Sequence, residues 1–186
     1  MTLIRKLLVV AALAATGSAF AADTPGAYLL VGGGTSKLDD SCEGTTSCDT
    51  TGSSVKFVGG WRLGGGIAVE AVALDFGKAK AAIGSLTGEF KTTAYGGGVA
   101  VYGDAGAWLF NARLGVASVK LKSTFRQGTA SGSDSESTTS AYVGLGAGYR
   151  FTEMVSIELG YDTTRAKLGG EDINVSAFTV GLGIKF

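Results

Sequence analysis

From Ala177 to Phe186 the chain reads AFTVGLGIKF, large apolar residues alternating without a break with small or polar ones. A period of two belongs to a strand, so Phe178, Val180, Leu182, Ile184 and Phe186 share one face and Ala177, Thr179, Gly181, Gly183 and Lys185 the other. An apolar face backed by glycine and polar residues fits a strand that crosses a bilayer in a closed barrel, apolar toward lipid and polar toward the interior. The apolar run near the start (LLVVAALAA) is shorter than the roughly 20 residues a spanning helix needs. No later segment competes with it.

Residues 1–21 combine Arg5 and Lys6, that apolar run and a small-residue end at Ala19-Phe20-Ala21, the arrangement of a cleaved export signal. The mature chain is then expected to begin at Ala22, with a short N-terminal piece (22–26) on the periplasmic side and one barrel domain over 27–186. The single proline, Pro25, precedes the first strand, so no ladder position lacks an N–H for that reason. Sixteen basic and sixteen acidic residues leave no net charge, and no field points to nucleic acid as a partner. Cys42 and Cys48 lie in a polar segment of an exported chain and read as one disulfide closing a surface loop. Without any histidine, the cysteine pair supplies too few ligands for a zinc site, and neither a metal nor another cofactor is expected.

Strand-like runs occupy 27–38, 53–63, 67–80, 89–102, 107–126, 138–151, 155–167 and 173–186. Short turns (64–66, 103–106, 152–154) alternate with longer polar connections (39–52, 81–87, 127–137, 168–172). This predicts an all-β fold, an eight-stranded antiparallel up-and-down transmembrane barrel with turns on the periplasmic side and loops outside. An Arg or Lys on lipid at mid-membrane costs about 2 to 4 kcal/mol, which assigns the faces by pointing Arg113 inward. Trp108, Phe110, Ala112, Leu114 and Val116 then face lipid, as do Val143, Leu145, Ala147, Tyr149 and Phe151 of the sixth run. Glu70 should also be interior, yet Val72, Leu74 and Phe76 share its parity and Asp75 does not, so a bulge is expected to switch faces in that strand.

The segments GWRL, IAVEAVALDFG, AYVGLGAGYRF, VSIELGYD and VGLGIKF resemble the eight-stranded outer-membrane barrels of the OmpA and opacity-protein type, over nearly all of the mature chain. Thr179, Gly181, Ile184 and Phe186 match the polar, glycine, hydrophobic and aromatic positions of the terminal signal read by the barrel-assembly machinery. The resemblance implies residence in the outer membrane of a Gram-negative bacterium, and the assembly machinery and periplasmic chaperones as partners. Members that anchor to the cell wall continue into a peptidoglycan-binding domain. This sequence stops at Phe186, and no wall-binding role is carried over.

The inward charges by this assignment are Lys56, Arg62, Glu70, Arg113, Arg150, Glu158, Asp162 and Lys185, with Arg62–Glu70 and Arg150–Glu158 expected to meet across the ladder. An eight-stranded barrel is just wide enough for side chains to fill, so these charges read as a neutralising plug; the alternative is a narrow ion path whose selectivity they set. About ten residues above each turn, Lys91, Lys120, Lys122, Arg165 and Lys167 fall on the outer face. They read either as a collar on lipopolysaccharide phosphates or as solvated strand tips. Trp61, Trp108, Tyr149 and Phe151 would form the lower aromatic girdle.

The Gly- and Ser-rich stretch QGTASGSDSESTTS reads as a mobile loop, and its Asp134 and Glu136 match no calcium-loop spacing. No base, acid and nucleophile set is visible, which argues against an enzyme. A soluble lipocalin-like barrel would need the inverted pattern, an apolar interior and a polar exterior. The reading is a non-enzymatic surface barrel whose loops are open to host or environmental ligands, with a low-conductance pore as the alternative. Replacing Phe186 by Ala is expected to cut the amount of assembled barrel in the outer-membrane fraction several-fold, read as the fast-migrating band of unboiled samples; an unchanged band would remove the terminal-signal reading.

Overall fold

A computed structural model describes residues 24–39, 47–83, 86–127, 130–168 and 171–186. Among the described residues nine strands follow one another: β1 (Gly26–Asp39), β2 (Ser47–Asp49), β3 (Thr51–Gly64), β4 (Ile67–Ile83), β5 (Leu86–Ala105), β6 (Trp108–Gln127), β7 (Ala130–Arg150), β8 (Val155–Leu168) and β9 (Glu171–Lys185). The short β2 continues the line of β3 along β4, and the other eight form an antiparallel ring closed by β1–β9 and β4–β5. The expected signal segment and Cys42, hence the expected disulfide, lie outside the described residues.

The register measures how far the ring is sheared. Partners run from Ala27 to Trp61, Val69, Val99, Leu114, Val143, Thr163 and Ser176, and return to β1 at Lys37, ten residues beyond the start. An eight-stranded ring with that offset tilts its strands by about 40°. Its interior has room for side chains and little else.

Three stretches depart from the sequence reading. The polar connection at 127–137 is largely strand, because Ala130 to Ser137 pair with Gln127 to Lys120 across the β6–β7 ladder. Serine and glycine weaken a strand, but a partner already in place supplies its hydrogen bonds. The connection at 81–87 likewise shortens, with Ile83 pairing to Leu86. The bulge expected near Glu70 lies higher, at Gly77, where the β4–β5 register shifts between Asp75 and Lys78. Val72, Leu74 and Phe76 therefore stay inside with Glu70, and only beyond the bulge does Ala79 take the inward position.

The rim is uneven. Above Val143, β7 pairs with β6 alone, whereas β8 runs on only to Leu168. At strand rise and this tilt, the β6–β7 hairpin overtops the β8–β9 side by about 15 Å.

Gly77 and Gly106 both have left-handed backbone, φ 68° and 66°. A Cβ on Gly77 would run into the Ser53 carbonyl oxygen, whereas one on Gly106 would meet nothing within 4 Å. Gly106→Ala is expected to cost about 1 kcal/mol from backbone strain alone, and Gly77→Ala clearly more, in urea unfolding from micelles. Equal losses would contradict the bulge geometry.

Candidate functional site: a two-layered interior and a basic rim

All eight charges expected inside face the barrel interior or its turn-end mouth. Nearest the turns, Arg150 Nη2 lies 2.7 Å from Asp104 Oδ2. Arg62 lies over the rings of Tyr102 and Tyr28, at 4.3 and 5.5 Å from their centroids. One level up, the Glu70 carboxylate accepts hydrogen bonds from Tyr28 and, at 2.6 Å, from Tyr102. Arg113, 2% exposed, joins both arms: its Nε is 3.0 Å from Glu70 and its Nη2 3.0 Å from Glu158, which also accepts from Asn111 Nδ2 at 2.8 Å. Above this, Lys56 Nζ meets Asp162 at 2.7 Å, and the same carboxylate accepts from the Tyr142 hydroxyl.

Two expected pairings are corrected by this arrangement. Glu70 takes Arg113 rather than Arg62 as its ion-pair partner, and Arg150 takes Asp104 rather than Glu158. Cross-strand proximity favours the neighbours, but inside a narrow tube a long side chain reaches across the lumen as easily as along the wall. Asp104 was hidden in sequence because its segment reads as a turn; in the structure β5 runs on to Ala105. The tyrosines were legible only as inward positions, since parity does not reveal which hydroxyl meets which carboxylate.

Small residues make the space. A Cβ on Gly144 would come within 2.6 Å of Asp162 Oδ1, and one on Gly160 within 3.3 Å of Lys56 Nζ. The glycines facing the lumen on β7 and β8 are thus the counterpart of the charged side chains opposite them.

Beyond Lys56 and Asp162 the chemistry changes. Toward the loop end the inward side chains are mostly apolar: Leu74 and Phe76 on β4, Ala117 and Val119 on β6, Ala166 on β8, and Ile173, Val175 and Ala177 on β9 share one buried cluster, Leu121 is buried on the same face of β6, and the hydroxyls of Ser36, Ser54, Thr92, Ser123 and Thr164 are buried on the inward faces of their strands. The charged interior expected from the sequence is thus gathered in the turn-end part, and a mainly apolar one with a few hydroxyls follows. Below the charged layer, a cavity of about 440 Å³ opens between the turns, bounded among others by Arg62, Asp104, Arg150 and Lys185.

On the outer face, large apolar residues form a band. Trp108, Tyr149 and Phe151 stack edge to face near the turns, with 5.4 Å between successive centroids. Above the band, Lys91, Lys120, Lys122, Arg165 and Lys167 all point outward. They are not equivalent. Lys91 pairs with Asp75 at 3.0 Å, and Lys167 stands opposite Asp172 on β9. Of the terminal positions, Thr179 and Gly181 face the lumen and Ile184 and Phe186 face outward, with the Phe186 N–H donating to Ala27 at 2.9 Å.

Removing Arg113 strands two buried carboxylates, and breaking a buried pair this way costs about 3 to 5 kcal/mol. Arg113→Met should lose that much in urea titration, with part recovered by adding Glu70→Gln. Arg150→Met, nearer water, should lose about 1 kcal/mol or less. Equal losses would contradict the central position of Arg113.

The family described as outer membrane protein beta-barrel domain matches residues 7–186. No curated protein sequence matches significantly. Among solved structures, the chain is similar to the Neisserial surface protein A (14% identity, TM-score 0.65, 88% of this chain and 100% of that one). It is also similar to the attachment invasion locus protein Ail of Yersinia pestis, solved with the heparin analogue sucrose octasulfate (16%, 0.60, 88% and 100%). A third is OprG of Pseudomonas aeruginosa (14%, 0.54, 87% and 96%). At these identities the likeness is one of fold, and it agrees with the closed ring and its apolar band. The chain is an integral barrel of the Gram-negative outer membrane and belongs to the outer membrane protein beta-barrel domain family.

Proposed function

We propose that this protein is a closed, non-enzymatic barrel with a structural and surface role, presenting its loop-end wall to ligands outside the cell. The observation that carries the reading is the layered interior. Ions that entered the turn-end cavity would have to pass Arg113 between its two carboxylates, then the Lys56–Asp162 pair, then an apolar layer with Phe76, Val119 and Leu121 at its centre. Rearranged ion pairs would not open such a path, because the loop-end layer offers a dehydrated ion no charged partner and only scattered hydroxyls such as those of Ser36, Thr92 and Thr164 among large apolar side chains.

The raised β4–β7 side supplies the surface. Its β6–β7 hairpin extends above the apolar band and carries serines, threonines, Asp134 and Glu136. Ail, of similar fold, has been crystallised with a polysulfated sugar. That finding belongs to Ail, and here it supports only the idea that a small barrel of this kind uses its outer end for recognition.

In planar bilayers, refolded wild-type protein, Glu158→Gln and Arg113→Ala are all expected to be silent, with folding verified by gel mobility. Steps should appear only when the apolar layer is also breached, as in Arg113→Ala combined with Phe76→Ser and Leu121→Ser. Reproducible wild-type conductance, altered by Arg113→Ala alone, would overturn the closed-barrel reading in favour of a small pore.

A further inference from the structure

The turn-end cavity has its room because two small residues, Ser156 and Gly183, are partners across the β8–β9 ladder and both line it. Tyr28, Leu30, Tyr102 and Leu109, all buried, supply its larger walls. Arg113 and Glu158 close the inner end, one row above Leu109 and Ser156 on their strands, and Asp104 borders it as the ladder partner of Leu109. Its volume of about 440 Å³ lies within the range of small-molecule sites.

The charges around this space balance. Among the described residues, Arg62, Arg113, Arg150 and Lys185 line it against Asp104, Glu153 and Glu158. Glu70, which accepts from the hydroxyls of Tyr28 and Tyr102 and pairs with Arg113, supplies the fourth carboxylate. An ion drawn in from water would give up its hydration and meet no net opposite charge, so the site favours a neutral guest. Two buried atoms of the lining still have hydrogen-bonding capacity: Arg113 Nη1, a donor, and Asp104 Oδ1, an acceptor, have no partner among the described residues. The guest must therefore accept from one and donate to the other. A hydroxyl does both, and the Ser156 hydroxyl can meet it in either sense. The tyrosine and leucine walls suit the C–H faces of a ring that carries its hydroxyls at the edge.

We propose that the turn-end cavity binds a small neutral saccharide from the periplasmic side, with Arg113 as the donor and Asp104 as the acceptor that fix it. This goes beyond the surface role, since the site lies at the opposite end of the barrel from the loops and is closed off from them by the charged layer and the apolar one above it.

The test titrates refolded protein in phosphocholine micelles, which carry no sugar headgroup, with glucose, with maltose and with ethylene glycol, following the backbone amides of Asp104, Leu109, Ser156 and Gly183. Wild type should saturate with at least one of the sugars in the millimolar range or below, with shifts confined to the turn end. Asp104→Asn should weaken that binding by about tenfold, the effect of losing a hydrogen bond to a charged group. Ser156→Phe, which fills the cavity, should abolish it, and Lys167→Gln on the loop-end rim should leave it unchanged; gel mobility checks that each variant is folded. The absence of saturable shifts with either sugar overturns the site, as does full binding by Asp104→Asn and a folded Ser156→Phe. Equal shifts with ethylene glycol at the same hydroxyl concentration would mean an adventitious additive only, and shifts at Ser133 to Ser137 in place of the turn end would put the sugar elsewhere; either overturns it. Conductance is decided separately, so the saccharide site can fail while the closed-barrel reading stands, and the reverse.

Discussion

Closing the sheet on itself with a ten-residue offset is the constraint from which the other features follow. In lipid an unpaired backbone edge is unaffordable, so every strand within the bilayer must have a partner on both sides. Eight tilted strands then leave a lumen about as wide as two facing side chains. Whatever points inward must fill that lumen and satisfy itself there. Whatever points outward must suit lipid.

The lumen meets this demand in two ways at two depths. Toward the turns it uses charge, with Arg113 bridging two carboxylates and three tyrosine hydroxyls taking up acceptor positions on Glu70 and Asp162. Toward the loops it uses mainly apolar packing, with a few buried hydroxyls, of which Ser36 and Thr164 donate to backbone carbonyls. The transition can be followed on single strands. Along β6 the inward residues pass from Asn111 and Arg113 through Gly115 to Ala117, Val119 and Leu121. On β4 the passage is from Glu70 to Val72, Leu74 and Phe76. A buried ion pair adds little stability over an apolar packing of equal volume, but breaking one is costly. The lower layer thus fixes which strands meet, and the upper layer seals the tube.

Much of this was legible in the amino-acid order because alternation is a strong signal when one face is lipid. The inward position of Arg113 follows from the cost of the opposite choice, and the outward position of Lys120 and Lys122 follows from counting on along the same strand. Two kinds of information were not legible. Which charges pair across the lumen depends on reach through space, so Asp104 and Arg113 acquired partners that ladder proximity would not assign. The interior character of Val72, Leu74 and Phe76 was obscured by treating the lumen as polar throughout, which forced a bulge below them when the real one, at Gly77, lies above. The strand character of Ala130 to Ser137 was obscured by composition: Gly and Ser there speak for a loop, and only the β6 partner overrules them.

A sealed barrel requires the loop-end half of the lumen to be dry. Water–methyl nuclear Overhauser effects on selectively labelled valines test it most directly, because Val58, Val119 and Val175 are all fully or nearly fully buried inward residues. A sealed lumen gives no cross-peak between water and the Val119 or Val175 methyls in refolded protein, beside clear exchange at residues bordering the turn-end cavity. Persistent water contacts at Val119 and Val175 would mean a wetted lumen from end to end, and would contradict the sealed barrel.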